Sequence, residues 1–288
     1  MLQHRFQIQA PFDISLKLTV QSHGWVGLAP WHWDAETEVL SRPDRLPTGH
    51  LVRLSVAQGS LSTISVTVES DMEVEDLSDV RRIVKRWLSL DWSPDEAIEA
   101  AVKVDKGIAD VLRNGGGRML RCSTFYEDFV KTVCTIQISW AGTRRMVDSL
   151  VGLSGQGLFP TPVELLAIGE TGLRNEAKLG FRARTVVGST RALLELGLID
   201  EEGRAEEDRI SREVLIGLRG IGPYASNHMA VLLHDFSGIP VDSAVTSYCR
   251  ESLRVEPGDI EDHFAAWGNY RFLGYRMDRI ARRTQAAT

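Results

Sequence analysis

The hydrophobic pattern of the chain changes its period near residue 79. Before that point, apolar and polar residues alternate, which predicts strands of an antiparallel sheet with one exposed face. This alternation occupies residues 6–10, 14–20, 52–56 and 64–68. After it, apolar residues recur at helical spacing, beginning with Ile83, Val84, Trp87 and Leu88. We therefore predict a mainly α fold of the α+β class, with a sheet-rich N-terminal domain at 1–78 and a helical region of two lobes at 79–288.

Three short segments predict where helices begin. Each places Ser or Thr three residues before Glu, which is the capping-box pattern; the segments are 93–96, 124–127 and 161–164. The helix after Thr124 is expected to turn five apolar residues inward, namely Phe129, Val130, Val133, Ile136 and Trp140. The last two helices are expected at about 259–267 and 270–283. The aromatic segment 25–33 around Pro30 predicts a loop whose tryptophans belong in the core.

Composition excludes several classes of protein. Hydrophobic residues make up 43% and charged residues 25% of the 288 residues, which excludes a disordered or collagen-like chain. Cys122, Cys134 and Cys249 are too few for a four-cysteine zinc or iron–sulfur site, and we interpret them as buried thiols. The histidines include no closely spaced pair beside a carboxylate, so no catalytic metal is predicted. Since no signal-like segment or membrane-length apolar run is present, we expect a soluble, cytoplasmic protein.

The charge is unevenly distributed along the chain. The net charge of -6 argues mildly against a nucleic-acid partner. Acidic residues dominate between 34 and 110, whereas basic residues dominate between 118 and 191 and again at the C-terminal end. This asymmetry leaves two interpretations open, ordinary solvated faces or a polyanion-binding side set apart from an acidic one.

Two glycines and an aspartate form the most informative constellation. The segment 218–226 (LRGIGPYAS) joins two helical patterns through Gly220 and Gly222, which permit positive φ and close backbone approach. The helix that follows such a hairpin can bind a phosphate at its N-terminus. Asp242 comes after a spacer ending in Pro240 and Val241, directly before another helical pattern. Taken singly, the hairpin is a structural turn and Asp242 a capping residue, but the combination points to chemistry.

This combination resembles the helix-hairpin-helix (HhH-GPD) DNA glycosylases. It is most similar to the branch that contains 3-methyladenine DNA glycosylase II and 8-oxoguanine DNA glycosylase. The resemblance covers roughly 77–283 and rests on five segments in the order of the family: 116–121, 136–139, 180–184, the hairpin with Asp242, and 267–271. Val241 stands inside the Gly-Pro-Asp signature, and Asn269 replaces the usual proline of the last segment.

The resemblance implies a catalytic aspartate and a base pocket. Asp242 matches the aspartate that stabilises the developing oxocarbenium ion and places the attacking water. Tyr224, His228 and Tyr270 match positions that line the pocket for the flipped base. The bifunctional members carry a lysine where this chain has Tyr224, and a tyrosine cannot form a Schiff base. From the residues alone, core packing of the tyrosines and a hydrogen-bonded helix histidine remain open.

The resemblance also implies residues that contact duplex DNA. The hairpin residues Gly220, Ile221 and Gly222 would bind the DNA backbone. Phe181 would enter the stack as the base leaves, with Arg182 beside the opposite strand, and Gln137 would fill the vacated space or contact the partner base. For Phe181 and Gln137, core packing and a plain surface amide are equally open alternatives. Gly142 occupies the position of the partner-reading arginine of the 8-oxoguanine enzymes, which disfavours 8-oxoguanine opposite cytosine as the main target.

The resemblance thus implies a monofunctional DNA glycosylase of base excision repair. It would flip damaged, alkylated purines out of double-stranded DNA and leave an abasic site without nicking the strand. The alternatives are a non-catalytic protein that binds lesions or DNA structure, and a glycosylase for oxidised or deaminated purines such as 8-oxoguanine. A helical protein that uses the hairpin only for packing is a third. We expect a monomer without a cofactor or cluster and near the nucleoid if bacterial, with a structural monovalent cation at the hairpin carbonyls as the one possible ion.

Overall fold

The computed structural model describes residues 2–74 and 76–286, with side chains described as far as Arg282. Helices dominate it, and one antiparallel sheet occupies the N-terminal part, which confirms the predicted α+β class. The sheet has the strand order β1-β5-β4-β3-β2. Its strands are β1 (Leu2–Gln9), β2 (His32–Asp34), β3 (Val39–Arg45), β4 (Leu51–Ser60) and β5 (Thr63–Ser70).

The helices of the described chain follow in an order that brings distant segments into one body. They are α1 (Leu16–Val20), α2 (Ser78–Trp87), α3 (Asp95–Val104), α4 (Lys106–Arg113), α5 (Phe125–Thr135), α6 (Trp140–Leu153), α7 (Pro162–Asn175), α8 (Arg182–Glu195), α9 (Arg212–Gly217), α10 (Pro223–Leu232), α11 (Ser243–Tyr248), α12 (Ile260–His263) and α13 (Arg271–Ala286). Short 3-10 turns lie at Gly24–Gly27, Glu207–Arg209, Pro257–Asp259 and Ala265–Tyr270. None of the described helices combines the length and apolar character needed to span a membrane.

Three of the four predicted strand runs are confirmed as β1, β4 and β5. The inward residues of β4 and β5 face each other in register, as in the pairs Leu54 with Val68 and Val56 with Val66. All four of these side chains are buried, whereas their sequence neighbours are less so. Period-two alternation therefore located the central hairpin of the sheet correctly.

The predicted strand at 14–20 is wrong, because this segment forms the helix α1. The Ser15 hydroxyl accepts the amide of Leu18 and thereby caps the helix. Leu16, Thr19 and Val20 are buried on one helical face, a spacing of three and four residues. Over so short a run, a period of two cannot be distinguished from this helical spacing.

The strands β2 and β3 were not predicted. The expected aromatic loop at 25–33 instead contains a 3-10 turn at Gly24–Gly27 and runs into β2 at His32. Strand β3 escaped detection because it carries charged residues on its inner face: Arg42 and Asp44 are both buried. Arg42 forms a two-pronged ion pair with Glu127 of α5, at 2.9 and 2.8 Å. In the sequence, buried charged residues that form ion pairs cannot be distinguished from the charged residues of an exposed segment.

The three predicted capping boxes have different outcomes. The box at Thr161 is complete, since its hydroxyl accepts the amide of Glu164 and the Glu164 carboxylate accepts the amide of Thr161. Thr124 caps α5, but the Glu127 carboxylate is drawn away to Arg42. The prediction at Ser93 is wrong: its hydroxyl accepts the amide of Asp95 rather than that of Glu96.

Two predicted helix ends also differ from the structure. Helix α5 ends at Thr135, so Trp140 is not one of its inward residues; it opens α6 and is 42% exposed. The helix expected at 259–267 is reduced to the single turn of α12, followed by the 3-10 turn Ala265–Tyr270, which Gly268 interrupts. At φ 57° and ψ -121°, Gly268 adopts a conformation that few residues other than glycine can adopt.

Buried polar contacts join the sheet to the helices. Besides the Arg42–Glu127 pair, the indole of Trp25 donates to Asp128 of α5 at 2.7 Å, and both side chains are fully buried. The buried apolar residues of the sheet and of the helices form one continuous cluster. The sheet ends at Ser70 and α2 begins at Ser78, and the domain boundary at residue 78 stays a prediction.

Candidate active site

The two glycines lie in a tight turn between α9 and α10. Gly220 has φ 81°, and a Cβ on it would overlap the hydroxyl of Thr185 in α8, so only glycine suits this position. Gly222 has φ -106°, so it does not use the positive φ that glycine permits; it precedes α10 as its N-cap. The Ile221 side chain is buried and anchors the turn, whereas Arg219 and Gly220 face solvent.

Asp242 is the N-cap of α11 and is exposed. One carboxylate oxygen, Oδ1, accepts the amide of Val245 at 2.8 Å, which fixes the orientation of the side chain. The loop before it is tied to α10, because the Asn227 amide donates to the carbonyl of Ile239 at 3.2 Å. The backbone amide of Ile239 donates in turn to Glu261 at 2.9 Å. Asp242 thus sits on a loop held from two sides.

Tyr224 and His228 lie one turn apart on α10, with ring centroids 6.1 Å apart. The hydroxyl of Tyr224 is 3.1 Å from that of Thr135, at the end of α5. On its other side, His228 contacts the N-terminal part of the chain: its ring lies 4.9 Å from Trp25 and 5.8 Å from His23. These residues form a small aromatic cluster. Because Tyr224 and His228 hold two of the positions for which the resemblance implies a base pocket, we call the cluster the α10 pocket (His23, Trp25, Tyr224 and His228).

Burial and carboxylates set the electrostatics of the α10 pocket. Burial lowers the pKa of His228 to about 4, against the opposing effect of the Asp128 and Asp242 carboxylates. His228 is therefore neutral at pH 7, and its Nε2 atom is buried without a hydrogen-bond partner in the described chain. Burial also raises the pKa of Tyr224, with Asp242 adding to the rise. Since Asp242 acts on both pKa values, its charge lies within electrostatic range of both side chains.

Tyr270 has different neighbours from Tyr224 and His228. Its hydroxyl donates to Glu96 of α3 at 2.7 Å, and its ring packs against Phe236 with centroids 6.5 Å apart. Burial and the Glu96 carboxylate raise its pKa to about 12. The structure thus brings two of the three predicted pocket residues together and holds the third by other contacts.

The predicted DNA-inserting residues lie close together, but they are not equally exposed. Phe181 is 54% exposed, and Gln137 is exposed in a left-handed conformation with φ 49°. Arg182, in contrast, is only 4% exposed, and its guanidinium donates to the carbonyls of Ile136 and Gln137. In this structure Arg182 holds the loop and does not face solvent.

Several residues of the site were not predicted from the sequence. Trp25 and His23 come from the N-terminal part, about two hundred residues before His228. No local pattern could assign them to a pocket, because only the tertiary fold brings them there. Ile138, which is 43% exposed beside Gln137, had a detectable signal, since an apolar residue in a short loop is exposed unless a partner covers it.

The turn offers few oxygen atoms to an ion. The carbonyls of Leu218 and Gly222 accept the amides of Ile221 and Ser226. The carbonyls of Gly220 and Ile221 accept no hydrogen bond from the described residues. Two neutral oxygens fit a monovalent cation better than a divalent one, so this cation stays a prediction. Among the described residues, no cluster of three His, Cys, Asp or Glu side chains could hold a metal ion.

Known structures share this architecture over nearly the whole chain. The 3-methyladenine DNA glycosylase from Archaeoglobus fulgidus matches with a TM-score of 0.70 and 20% identity, over 96% of this chain and 98% of that one. MBOgg1 in complex with a low-affinity DNA ligand matches with a TM-score of 0.67 and 16% identity, over 96% of each chain. The 8-oxoguanine glycosylase/lyase from Clostridium acetobutylicum matches with a TM-score of 0.66 and 15% identity, over 95% of this chain and 94% of that one.

These likenesses show that the chain has the fold of the helix-hairpin-helix DNA glycosylases, with the N-terminal sheet included. No family model matches the sequence, and no curated protein is significantly similar to it. The activity therefore has to be argued from the site.

Proposed function

We propose that the protein is a monofunctional DNA glycosylase that removes damaged purines from duplex DNA. One observation carries the proposal: an exposed aspartate is fixed as a helix cap after a loop that is tied to α10, the helix that follows the tight turn and carries Tyr224 and His228. The fold supports it, since two of the similar structures are described as glycosylases and the third, MBOgg1, is in complex with a DNA ligand. Because a fold alone does not define an activity, the test must substitute residues of the site.

Asp242 can assist cleavage of the N-glycosidic bond through its second oxygen. Because Oδ1 is engaged by Val245, Oδ2 is the atom available to the sugar and to water. As the bond between C1′ and the base breaks, its electron pair leaves with the base and positive charge develops on the sugar. The carboxylate stabilises that charge and orients the water that attacks C1′. A cationic alkylated purine leaves as a neutral base, so the proton that the water loses passes to the Asp242 carboxylate and from there to solvent.

Tyr224 gives the enzyme no means of cutting the strand. A strand-cleaving glycosylase of this class needs an amine that forms a Schiff base with the sugar. Tyr224 carries a phenol on the first turn of α10, and its hydroxyl is engaged with Thr135. Burial raises its pKa, which makes it a still weaker nucleophile. The expected product is an abasic site.

The α10 pocket favours an alkylated purine over a normal one. Aromatic rings attract electron-poor and cationic bases through stacking and cation–π contacts. A neutral His228 adds no positive charge that would repel a cationic base. An oxidised purine is the second candidate, because the Nε2 atom of His228, which has no partner in the described chain, could form a hydrogen bond with the edge of such a base. Two of the three similar structures belong to 8-oxoguanine or Ogg1 proteins.

The test compares base release by the wild-type protein, Asp242→Asn and Asp105→Asn on methylated duplex DNA. Asp105 is a matched control, because it caps α4 by accepting the amide of Ile108 just as Asp242 caps α11. Asparagine preserves a cap, so neither variant should unfold. We expect the wild type and Asp105→Asn to release 3-methyladenine or 7-methylguanine, detected by mass spectrometry, and Asp242→Asn to lose at least about 10²-fold in rate.

Each further outcome distinguishes an alternative. Release of only 8-oxoguanine or hypoxanthine from a wider lesion panel would identify the oxidised or deaminated class. Binding to lesion DNA by the wild type and Asp242→Asn alike, with no release of any base, would indicate a non-catalytic sensor. Covalent trapping on DNA by borohydride would contradict the monofunctional assignment.

A further inference from the structure

Arg182 has an unusual environment for an arginine at the start of a helix. Its side chain is buried, and its guanidinium donates to three backbone carbonyls: Nε to Ile136 at 2.9 Å, Nη2 to Gln137 at 3.1 Å, and Nη1 to Leu179 at 3.4 Å. Nη2 also donates to Ile136. The guanidinium carbon lies 4.5 Å from the centre of the Phe181 ring. One side chain thus contacts the α5–α6 loop and the start of α8 together.

This charge is buried without a counter-ion. In the described chain Arg182 forms no ion pair. Arg118 is buried in the same way against carbonyls, whereas Arg42 and Arg121 each pair with a carboxylate. Burying an unpaired charge is costly, and here only carbonyl dipoles and one aromatic face compensate for it. A structural role could be served by an apolar side chain of the same size at lower cost. The arrangement therefore indicates a requirement for directional hydrogen bonds to the loop.

The loop that receives these bonds has a strained backbone. Gln137 has φ 49°, a left-handed conformation that residues other than glycine seldom adopt. The bonds from Arg182 to the carbonyls of Ile136 and Gln137, in the two peptide groups that flank the Gln137 Cα, hold that conformation. As a result, the loop presents Gln137 and Ile138 to solvent, next to the exposed Phe181.

We propose that Arg182 is a positioning residue that locks the 137–138 loop and Phe181 into a single rigid unit. The inference rests on the proposed function and on the insertion of Phe181 into the stack that the resemblance implies. Side chains fixed in advance on both segments insert without a further loss of conformational freedom. Arg182 itself touches neither the base nor the sugar, so it acts before the chemical step.

If Arg182 has this role, it should matter for a lesion in a base pair and not for the same lesion in a bulge. Opening a paired base requires unstacking, whereas a mismatched or bulged base is already easier to extrude. Loss of Arg182 should therefore slow excision of a paired lesion and spare excision of the same lesion in a bulge. A general loss of stability, or a loss of DNA affinity, would slow both to the same extent.

The experiment measures single-turnover excision of one lesion in both contexts for the wild type, Arg182→Leu and Arg182→Lys. Arg184→Leu is the matched control, since it removes the same charge two residues further along α8 from an exposed side chain. For Arg182→Leu we expect a roughly ten- to hundredfold loss on the paired lesion, comparable to a misplacement of about 1 Å. In the bulge the rate should remain near that of the wild type. Arg184→Leu should leave the ratio of the two rates unchanged.

The lysine variant keeps the test valid if Arg182→Leu does not fold, which thermal unfolding would reveal. Lysine can bind one carbonyl but cannot bind both and rest flat on Phe181, so it should give an intermediate ratio. Equal losses on paired and bulged lesions, or a wild-type ratio in both Arg182 variants, would overturn the inference.

A fluorescence measurement that does not depend on cleavage of the N-glycosidic bond separates this inference from the proposed function. Fluorescence of 2-aminopurine placed next to the paired lesion in the same strand reports unstacking by the bound protein in the Asp242→Asn background. We expect a rise with Arg182 intact and little rise with Arg182→Leu. If the wild type releases no base yet the fluorescence difference persists, the proposed function fails and the positioning role stands. Equal fluorescence in both variants overturns the positioning role.

Discussion

At the scale of single residues, His228 makes the protein sensitive to acid. Burial lowers the pKa of His228 to about 4 in the folded protein, whereas in the unfolded chain this pKa is about 6.5. Between these two pH values the unfolded chain therefore binds a proton that the folded protein does not. This contribution to stability is present above pH 6.5 and is lost as the pH falls toward 4. The nearby His23, whose pKa burial also lowers, acts in the same direction.

We therefore expect His228→Asn to reduce the loss of stability between pH 7 and pH 5. Each such histidine contributes a slope of at most about 1.4 kcal/mol per pH unit, and the variant should lower the total slope by a part of that amount. Urea unfolding at the two pH values measures the difference. His32→Asn, which alters an exposed residue on β2, is the control and should keep the wild-type slope. An unchanged slope in His228→Asn would contradict the argument.

Single residues also show where sequence reasoning reaches its limit. The cap position of Asp242 followed from the helical pattern that starts directly after it, and the structure confirms this. The burial of Arg182 could not be predicted, because an arginine on a polar helix is ordinarily exposed. Its carbonyl partners in the α5–α6 loop, Ile136 and Gln137, lie 46 and 45 residues away, beyond any local pattern.

At the scale of elements, the 3-10 turn Gly24–Gly27 braces the α10 pocket. Trp25 of this turn donates to the buried carboxylate of Asp128 and packs against His228. The ring of Trp140 lies against the turn from the other side, close enough that a Cβ on Gly24 would overlap it. The turn is thus fixed between α5, α6 and α10.

Trp25→Phe should weaken this brace while filling most of the volume of the indole. The variant removes one donor from Asp128, which keeps the amide of Cys122 and the guanidinium of Arg86 as partners. We expect a loss of about 1–3 kcal/mol in the free energy of unfolding, because a buried carboxylate loses a hydrogen bond. Base release should fall as His228 loses its support. Denaturant unfolding and the excision assay provide the measurements.

Trp33→Phe is the corresponding control. Trp33 lies on β2 with a partly buried ring that packs at the margin of the core. Its change should destabilise the protein less and leave base release at the wild-type rate. Equal effects of the two substitutions would show that the turn has no special connection to the pocket.

Elements differ in how well the sequence predicted them. The helix α2 and the central hairpin β4–β5 each carry one apolar face, so their period revealed them. Strand β3 faces the α5 helix with Arg42 and Asp44, and the pairing that makes this possible involves Glu127, about 80 residues later. Ion pairs between residues far apart in the sequence allow charged side chains to be buried, so hydrophobic alternation does not identify such a strand.

At the scale of the whole molecule, the order of strands followed by helices was enough to predict the fold class. The sequence did not predict how the sheet packs against the helices, because both contribute to one continuous hydrophobic core. The α10 pocket takes His23 and Trp25 from one part and Tyr224 and His228 from the other. The site is therefore a property of the complete chain rather than of the helical region alone.

The distribution of charge over the molecule predicts how binding responds to salt. Although the net charge is -6, Arg145 of α6 and Arg219 of the hairpin are exposed and form no ion pair in the described part of the chain. If both residues contact phosphates, each displaces counterions and contributes about -0.9 to the slope of log K against log salt concentration. Affinity for duplex DNA should fall steeply between low and physiological salt despite the acidic total.

Arg145→Ala and Arg219→Ala should each make that slope shallower by about 0.9, measured by fluorescence anisotropy over a series of salt concentrations. Arg5→Ala, on the edge strand β1, removes an exposed arginine from the sheet and should leave the slope unchanged. An equal change in all three variants would mean that net charge governs binding. A change confined to the first two would locate the DNA on the side of the hairpin, which is where Asp242 and the α10 pocket require it.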